Sequence, residues 1–257
     1  MIHRVDMGNG NCVSPLYFQR EMAISWSDLV GVIDCLLENG LTWGSIAECC
    51  SSPDSFFCLT FDDGFCEHLD VARRLESRFL PPKKSLIFSV SVGNSIRRNF
   101  FSGMDVIYSL IDNGFMRDVV EYFRLSQDAS IQDIKEKYVR LSPSNLEQFY
   151  SCFEKNIEVG GLFLSAVELC DLAQYGIIAS HGITHRDMTC SVVESKNEIL
   201  DSKLMLEDII GSSVDYFCIP EGRTNAELNF YCKEVGYLQM LGISKHIDSF
   251  CVGRIAV

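Results

Sequence analysis

Short apolar runs alternate with amphipathic helical patterns along most of this chain, and that rhythm constrains its fold more than any other feature. Phe56-Phe57-Cys58-Leu59 opens a strand over 56–61, a helix over about 67–79 follows and is closed by Pro81-Pro82, and Ser85 to Val92 reads as another strand. Upstream, Ser25 caps a helix with Asp28 at its third position; Trp26, Leu29, Val30, Ile33, Leu36 and Leu37 form its apolar stripe and Gly40 ends it. Further on, Ser165 and Glu168 form a capping box for a helix ending near Gly176, and Ile177 to Ser180 is a strand. Ser191 and Glu194 form a second box for a long helix ending at Gly211, Val214 to Ile219 is a strand, and Asn225 to Val235 is a helix closed by Gly236. Tyr237 to Ile243 and Phe250 to Val257 are late strands. Strands regularly followed by helices imply a parallel sheet, open or closed into a barrel. The stretch of roughly 94–162 differs: it is helical, punctuated at Asn113-Gly114, Ser142-Pro143 and Gly160-Gly161. Because the strand–helix rhythm resumes after it, we read it as an insertion into one α/β domain spanning 1–257.

Composition excludes some function classes. A formal net charge of −13 argues against nucleic acid or an anionic membrane surface as a general partner. No segment approaches the roughly 18 consecutive apolar residues of a membrane span. The start, Met1-Ile2-His3-Arg4-Val5-Asp6, lacks the basic-then-apolar pattern of a secretion signal, so a cytoplasmic protein is expected. The 12 cysteines show no Cys-x-x-Cys pair and no zinc-finger spacing. Several, such as Cys58, Cys170 and Cys218, sit in apolar runs, which predicts reduced, buried thiols.

The chemistry-bearing residues fall at strand ends, where ligand sites of parallel α/β folds gather. Asp62 and Asp63 in Thr60-Phe61-Asp62-Asp63-Gly64 end the strand over 56–61; such adjacent carboxylates repel, and a bound cation is one way to hold them together. His181 and His185 stand four apart after another apolar run. An Asp and two His can hold a zinc-like ion and leave a position for water. A third segment, Pro220 to Arg223, follows the strand over 214–219. The blander alternatives are an Asp-Gly turn at Asp63-Gly64, unrelated loop histidines, and packing or surface roles for His3 and His68.

In order, these segments resemble the motifs of the NodB-homology polysaccharide deacetylases, carbohydrate esterase family four. Thr60-Phe61-Asp62-Asp63-Gly64 matches the first motif residue for residue. His181-Gly182-Ile183-Thr184-His185 is similar to the second, with Gly182 at its hydroxyl position, and Tyr216-Phe217-Cys218-Ile219-Pro220-Glu221-Gly222 to the third. The resemblance covers about 15–93 and 163–257. It implies a deformed (β/α) barrel of about seven parallel strands and a divalent metal, zinc before cobalt, nickel or manganese, on Asp63, His181 and His185. It implies Asp62 as general base, the backbone N–H of Glu221 as an oxyanion donor, and Pro220 and Arg223 near substrate. The reaction implied is removal of acetyl from an N-acetylated sugar; the cytoplasmic expectation adds a nucleotide- or lipid-linked precursor of a surface polysaccharide such as an O-antigen. Three departures stand out. Cys218 replaces the family's Arg, leaving Arg223 or Arg254 to hold Asp62. The late Leu-x-His motif that supplies the acid is missing, leaving His246 as the remaining C-terminal histidine. Glu221 adds a charge near the metal. These departures motivate an alternative, a catalytically silent barrel that binds a sugar or a partner protein; another hydrolase on the same scaffold is a third reading.

Overall fold

A computed structural model describes residues 1–8, 14–96, 103–157, 161–243 and 250–255. Ten short strands are present among them: β1 Arg4–Asp6, β2 Ala23–Ser25, β3 Thr42–Trp43, β4 Phe56–Phe57, β5 Leu59–Phe61, β6 Leu86–Val90, β7 Ile177–Ser180, β8 Tyr216–Cys218, β9 Gln239–Gly242 and β10 Cys251–Gly253. Six of them form one all-parallel sheet in the order β10-β9-β8-β7-β6-β5. The sheet curls. Ile2 forms a parallel bridge to Phe61 on the outer side of β5, while Arg254, just past β10, reaches across to Asp62. The alternation predicted a parallel sheet, and the curled form is that of the deformed barrel implied by the resemblance, with the start of the chain standing in as a rudimentary further strand.

Local chemistry explains the elements that face the site. The Ser25 hydroxyl caps Trp26–Glu38 through Asp28 N–H, and Leu29 and Ile33 of its stripe are fully buried, each worth about 1.5–3 kcal/mol. Helix Glu67–Phe79 matches its expected bounds and ends on Leu80 in the left-handed conformation, before the prolines. Ala166–Leu172 carries the full capping box. The second box is half formed. Ser191 caps Val192–Ile210, but the Glu194 carboxylate accepts from Arg186 instead of closing back on the cap. The strand expected over 56–61 is broken at Cys58: β4 pairs with β3 in a small sheet, and only β5 enters the barrel. The eleven described cysteines are free thiols, and burial is not general: Cys218 and Cys232 are buried, whereas Cys170 is exposed.

The insertion is helical among its described residues: Met104–Asp112, Met116–Tyr122, Ile131–Tyr138 and Pro143–Phe153. It packs around Phe149, Tyr108 and Ile107 in an apolar cluster that also takes in Leu16, Tyr17, Phe65 and Phe163 from the barrel side. Polar ties reinforce this. Arg4 is buried, donates to both oxygens of Glu67, lies 3.7 Å from Asp105 of the insertion and stacks 4.2 Å over the Phe65 ring. The Tyr17 hydroxyl donates to Asp105 at 2.5 Å. Helix Ile131–Tyr138 and the residues after it are also tied to two barrel loops. Lys135 pairs with Glu221 at 2.7 Å, Glu136 with Arg223 at 2.5 Å, and the carbonyl of Val139 accepts from Asp187 N–H at 2.8 Å.

Candidate active site

Parallel strands all deliver their carboxyl ends to one rim, and the three motif segments meet there. Past β5, Asp63 and Gly64 both adopt left-handed backbone (φ 76° and 79°), so the Asp-Gly turn and the presentation of a ligand are one feature. A side chain at Gly64 would approach Val90 to 3.0 Å, which keeps this turn tight against β6. Past β7, His181 continues the strand and His185 sits at φ 52°. Non-glycine residues in this region store strain, and such strain clusters at functional sites.

Asp63 Oδ1 lies 3.5 Å from His181 Nε2 and 3.2 Å from His185 Nε2. The imidazole of His181 settles what that arrangement means. Its Nδ1 lies 2.8 Å from the carbonyl of Cys218, to which it donates. Burial holds the ring neutral, lowering its pKa to about 4, so Nε2 carries a lone pair. An acceptor thus faces a carboxylate oxygen that is buried and has no hydrogen-bond partner. A cation among the three atoms resolves this conflict, and Asp63, His181 and His185 are the metal-capable cluster found among the described residues, with one ligand atom from each lying within 4.8 Å of the others. The Cys218 carbonyl then does what an outer partner of a ligating histidine does, fixing tautomer and ring orientation. Its thiol, pushed up to about 12 by burial, belongs to the core.

Asp62 points beside this cluster. Its Oδ1 accepts from Arg254 Nη1 at 2.6 Å and from the Ser89 hydroxyl at 2.5 Å. Burial alone would raise its pKa, but the charge and hydrogen bond of Arg254, together with the nearby His181 and His3, outweigh burial and hold the carboxyl well below the usual range. Of the two arginines that could replace the family's Arg, Arg254 is therefore the one on Asp62. Arg223 instead spans Asp187 at 2.9 Å and Glu136, and neither it nor the buried Pro220 lines the cavity over the cluster. Glu221 does line it, on a left-handed turn with φ 58°, and its carboxylate is taken by Lys135. His246 lies outside the described residues.

One histidine read from sequence as packing or surface belongs to the site. His3 lines the same cavity, which has a volume of about 300 Å³, within electrostatic reach of Asp63, Asp62 and His185. Burial lowers its pKa, and the two carboxylates oppose that effect. No motif marks it; the signal lies in the curl of the sheet, which seats Ile2 against β5. His68 stays in the core, with its Nε2 on the carbonyl of His3 at 2.7 Å.

Comparison with known proteins agrees with this geometry. A family model described as polysaccharide deacetylase matches residues 166–240, which hold the second and third motif segments. No curated protein matches the chain. Among solved structures, a de-N-acetylase from Aggregatibacter actinomycetemcomitans superposes with a TM-score of 0.62 at 15% identity, covering 100% of this chain and 92% of that one. IcaB from Ammonifex degensii gives 0.60 at 13%, covering 100% and 91%. BC0361, a polysaccharide deacetylase from Bacillus cereus, gives 0.54 at 16%; it covers 94% of this chain, which spans only 56% of that one. The fold is thus that of the polysaccharide deacetylases, and the family model bears out the resemblance over residues 166–240, which hold the second and third motif segments.

Proposed function

We propose that this chain is a metal-dependent hydrolase that removes acetyl from an N-acetylated sugar. The observation that carries the reading is the neutral His181 facing the orphaned Asp63 oxygen, with a second carboxylate, Asp62, held ionised alongside. Asp63, His181 and His185 would hold the ion. A divalent metal there supplies Lewis acidity, lowering the pKa of water and polarising a carbonyl. Asp62, fixed by Arg254 and Ser89, takes the proton of the attacking water. The backbone N–H of Glu221 is the candidate donor to the developing oxyanion, and that donor does not depend on the side chain. His3, on the same cavity wall, passes the proton taken by Asp62 on to the leaving amine. The cavity is at the small end of known ligand pockets and suits one N-acetylated sugar ring, so substrates carrying such a ring are the class to assay first, with nucleotide- and lipid-linked forms among them.

The test is release of free amine and acetate from such sugars by protein loaded with zinc, cobalt, nickel or manganese. Turnover that disappears with chelator and with Asp62→Asn is expected. Metal-loaded protein that releases nothing from any N-acetylated sugar overturns the reading.

A further inference from the structure

We infer that Glu198 holds the His181–His185 loop in its ligating shape, as a positioning residue that acts through the loop and never touches substrate. The inference rests on the metal-centre reading above. Between the two histidines the chain must reverse sharply. Gly182 lies at φ 78° and has no side chain with which to fasten the turn, and His185 is itself held at φ 52°. The fastening comes from helix Val192–Ile210. Glu198, 5% exposed, accepts at Oε2 from the N–H groups of Ile183 at 2.6 Å and Thr184 at 3.0 Å, and at Oε1 from the Thr184 hydroxyl at 2.6 Å. Among the described residues no lysine or arginine is paired with this carboxylate; its partners are the loop's own donors.

The space around Gly182 fits this. A Cβ at Gly182 would lie 3.1 Å from Glu198 Oε2 and 2.9 Å from Met188 Cε, so the carboxylate fills the room a side chain at 182 would need. The other side of the loop is gripped as well. Val92 N–H donates to the Gly182 carbonyl and Gly93 N–H to the Ile183 carbonyl, each at 3.1 Å, and a Cβ at Gly93 would meet that oxygen at 2.4 Å. With its carbonyls pinned from the start of helix Val92–Ile96, just past β6, and its N–H groups pinned by Glu198, the loop is preorganised, and the two imidazoles converge without the metal having to fold it.

Zinc affinity decides the matter, measured on the apo-protein in competition with a chromophoric chelator, together with the absorption spectrum of the cobalt-loaded protein. For Glu198→Gln we expect zinc binding about 10–100-fold weaker and an altered cobalt spectrum, with the thermal midpoint of the apo-protein close to wild type. A purely architectural glutamate would lower that midpoint and leave the cobalt spectrum of the folded fraction unchanged. Thr184→Val removes one of the three bonds, and a smaller loss in the same direction is expected; it decides the question if Glu198→Gln does not fold. Zinc affinity within about threefold of wild type and an unchanged cobalt spectrum in the folded variants overturn the role of Glu198 alone. Wild-type protein that binds no divalent metal overturns the metal centre and this inference together.

Discussion

Replacing Arg254 by Met tests whether a residue outside the family's motifs has taken over the support of the base. Arg254 and Asp62 are 6% and 2% exposed, and their contact is 2.6 Å. With charge centres about 4 Å apart and an effective dielectric constant near 20, the attraction is about 4 kcal/mol. Removing one partner of a buried pair costs about 3–5 kcal/mol by experience, because the other charge is left without compensation. Methionine keeps an unbranched chain of similar reach, so lost packing contributes little. Only the Ser89 hydroxyl then remains on Asp62 Oδ1, burial dominates, and the carboxyl pKa rises. Two readouts follow. Urea unfolding of the apo-protein is expected to show a loss of about 3–5 kcal/mol, most of it recovered when Asp62→Asn is added, because no buried charge is then left over. In the metal-loaded enzyme, the acid limb of kcat/KM is expected to move to higher pH. A loss below about 1 kcal/mol, additivity with Asp62→Asn and an unmoved acid limb would refute the reasoning.

Other expectations are as direct. His3→Gln removes the proposed proton donor and is expected to lower kcat by about 10²–10⁴ with KM little changed; if His246→Gln does this and His3→Gln does not, the acid has been misplaced. Asp105 is buried, and burial outweighs Arg4 to raise its pKa from 3.8 to about 7. Between those values the folded protein keeps a proton that the unfolded chain has released, so this group's contribution to stability falls as pH rises from about 4 to 7. Asp105→Asn is therefore expected to gain stability relative to wild type between pH 5 and pH 8, by up to a few kcal/mol, in urea unfolding at both pH values; a difference that does not change with pH counts against this. Glu67→Gln, which weakens the bidentate partner of buried Arg4, is expected to cost about 3–5 kcal/mol, and a cost below about 1 would show that Arg4 is held by Asp105 alone.

Sequence reading recovered what is encoded locally. Ser25, Ser165 and Asn225 cap helices where their side-chain chemistry says they should, and β7 and helix Glu67–Phe79 end at their expected residues. The trio Asp63, His181 and His185 was legible because each residue follows an apolar strand closely enough to be carried to the same rim. What escaped is set by tertiary closure. Strands β1 to β3 are two or three residues long, too short for any periodicity to register. His3 joins the site only because the sheet curls and the start of the chain is seated against β5, and no spacing along the chain announces that; the same closure is what selects Arg254 over Arg223, a choice the sequence left open. Glu194 carries the signature of a capping box, yet a nearby arginine competes for its carboxylate and wins. Glu198 carries no sequence signal: it lies within the long helix Val192–Ile210, and only the fold brings it against the loop.

The ties between helix Ile131–Tyr138 and the loops at Asp187 and Glu221 also have a mechanical consequence. A segment that could have been an appendage is riveted to two loops of the rim, and its Lys135 and the Glu221 it holds stand in the cavity's walls. Spreading those walls to admit a bulky chain would break two ion pairs and a backbone hydrogen bond in concert, so the Asp187 amide should exchange with solvent as slowly as the insertion's interior. Excising the insertion would slacken the rim that carries the three motif segments.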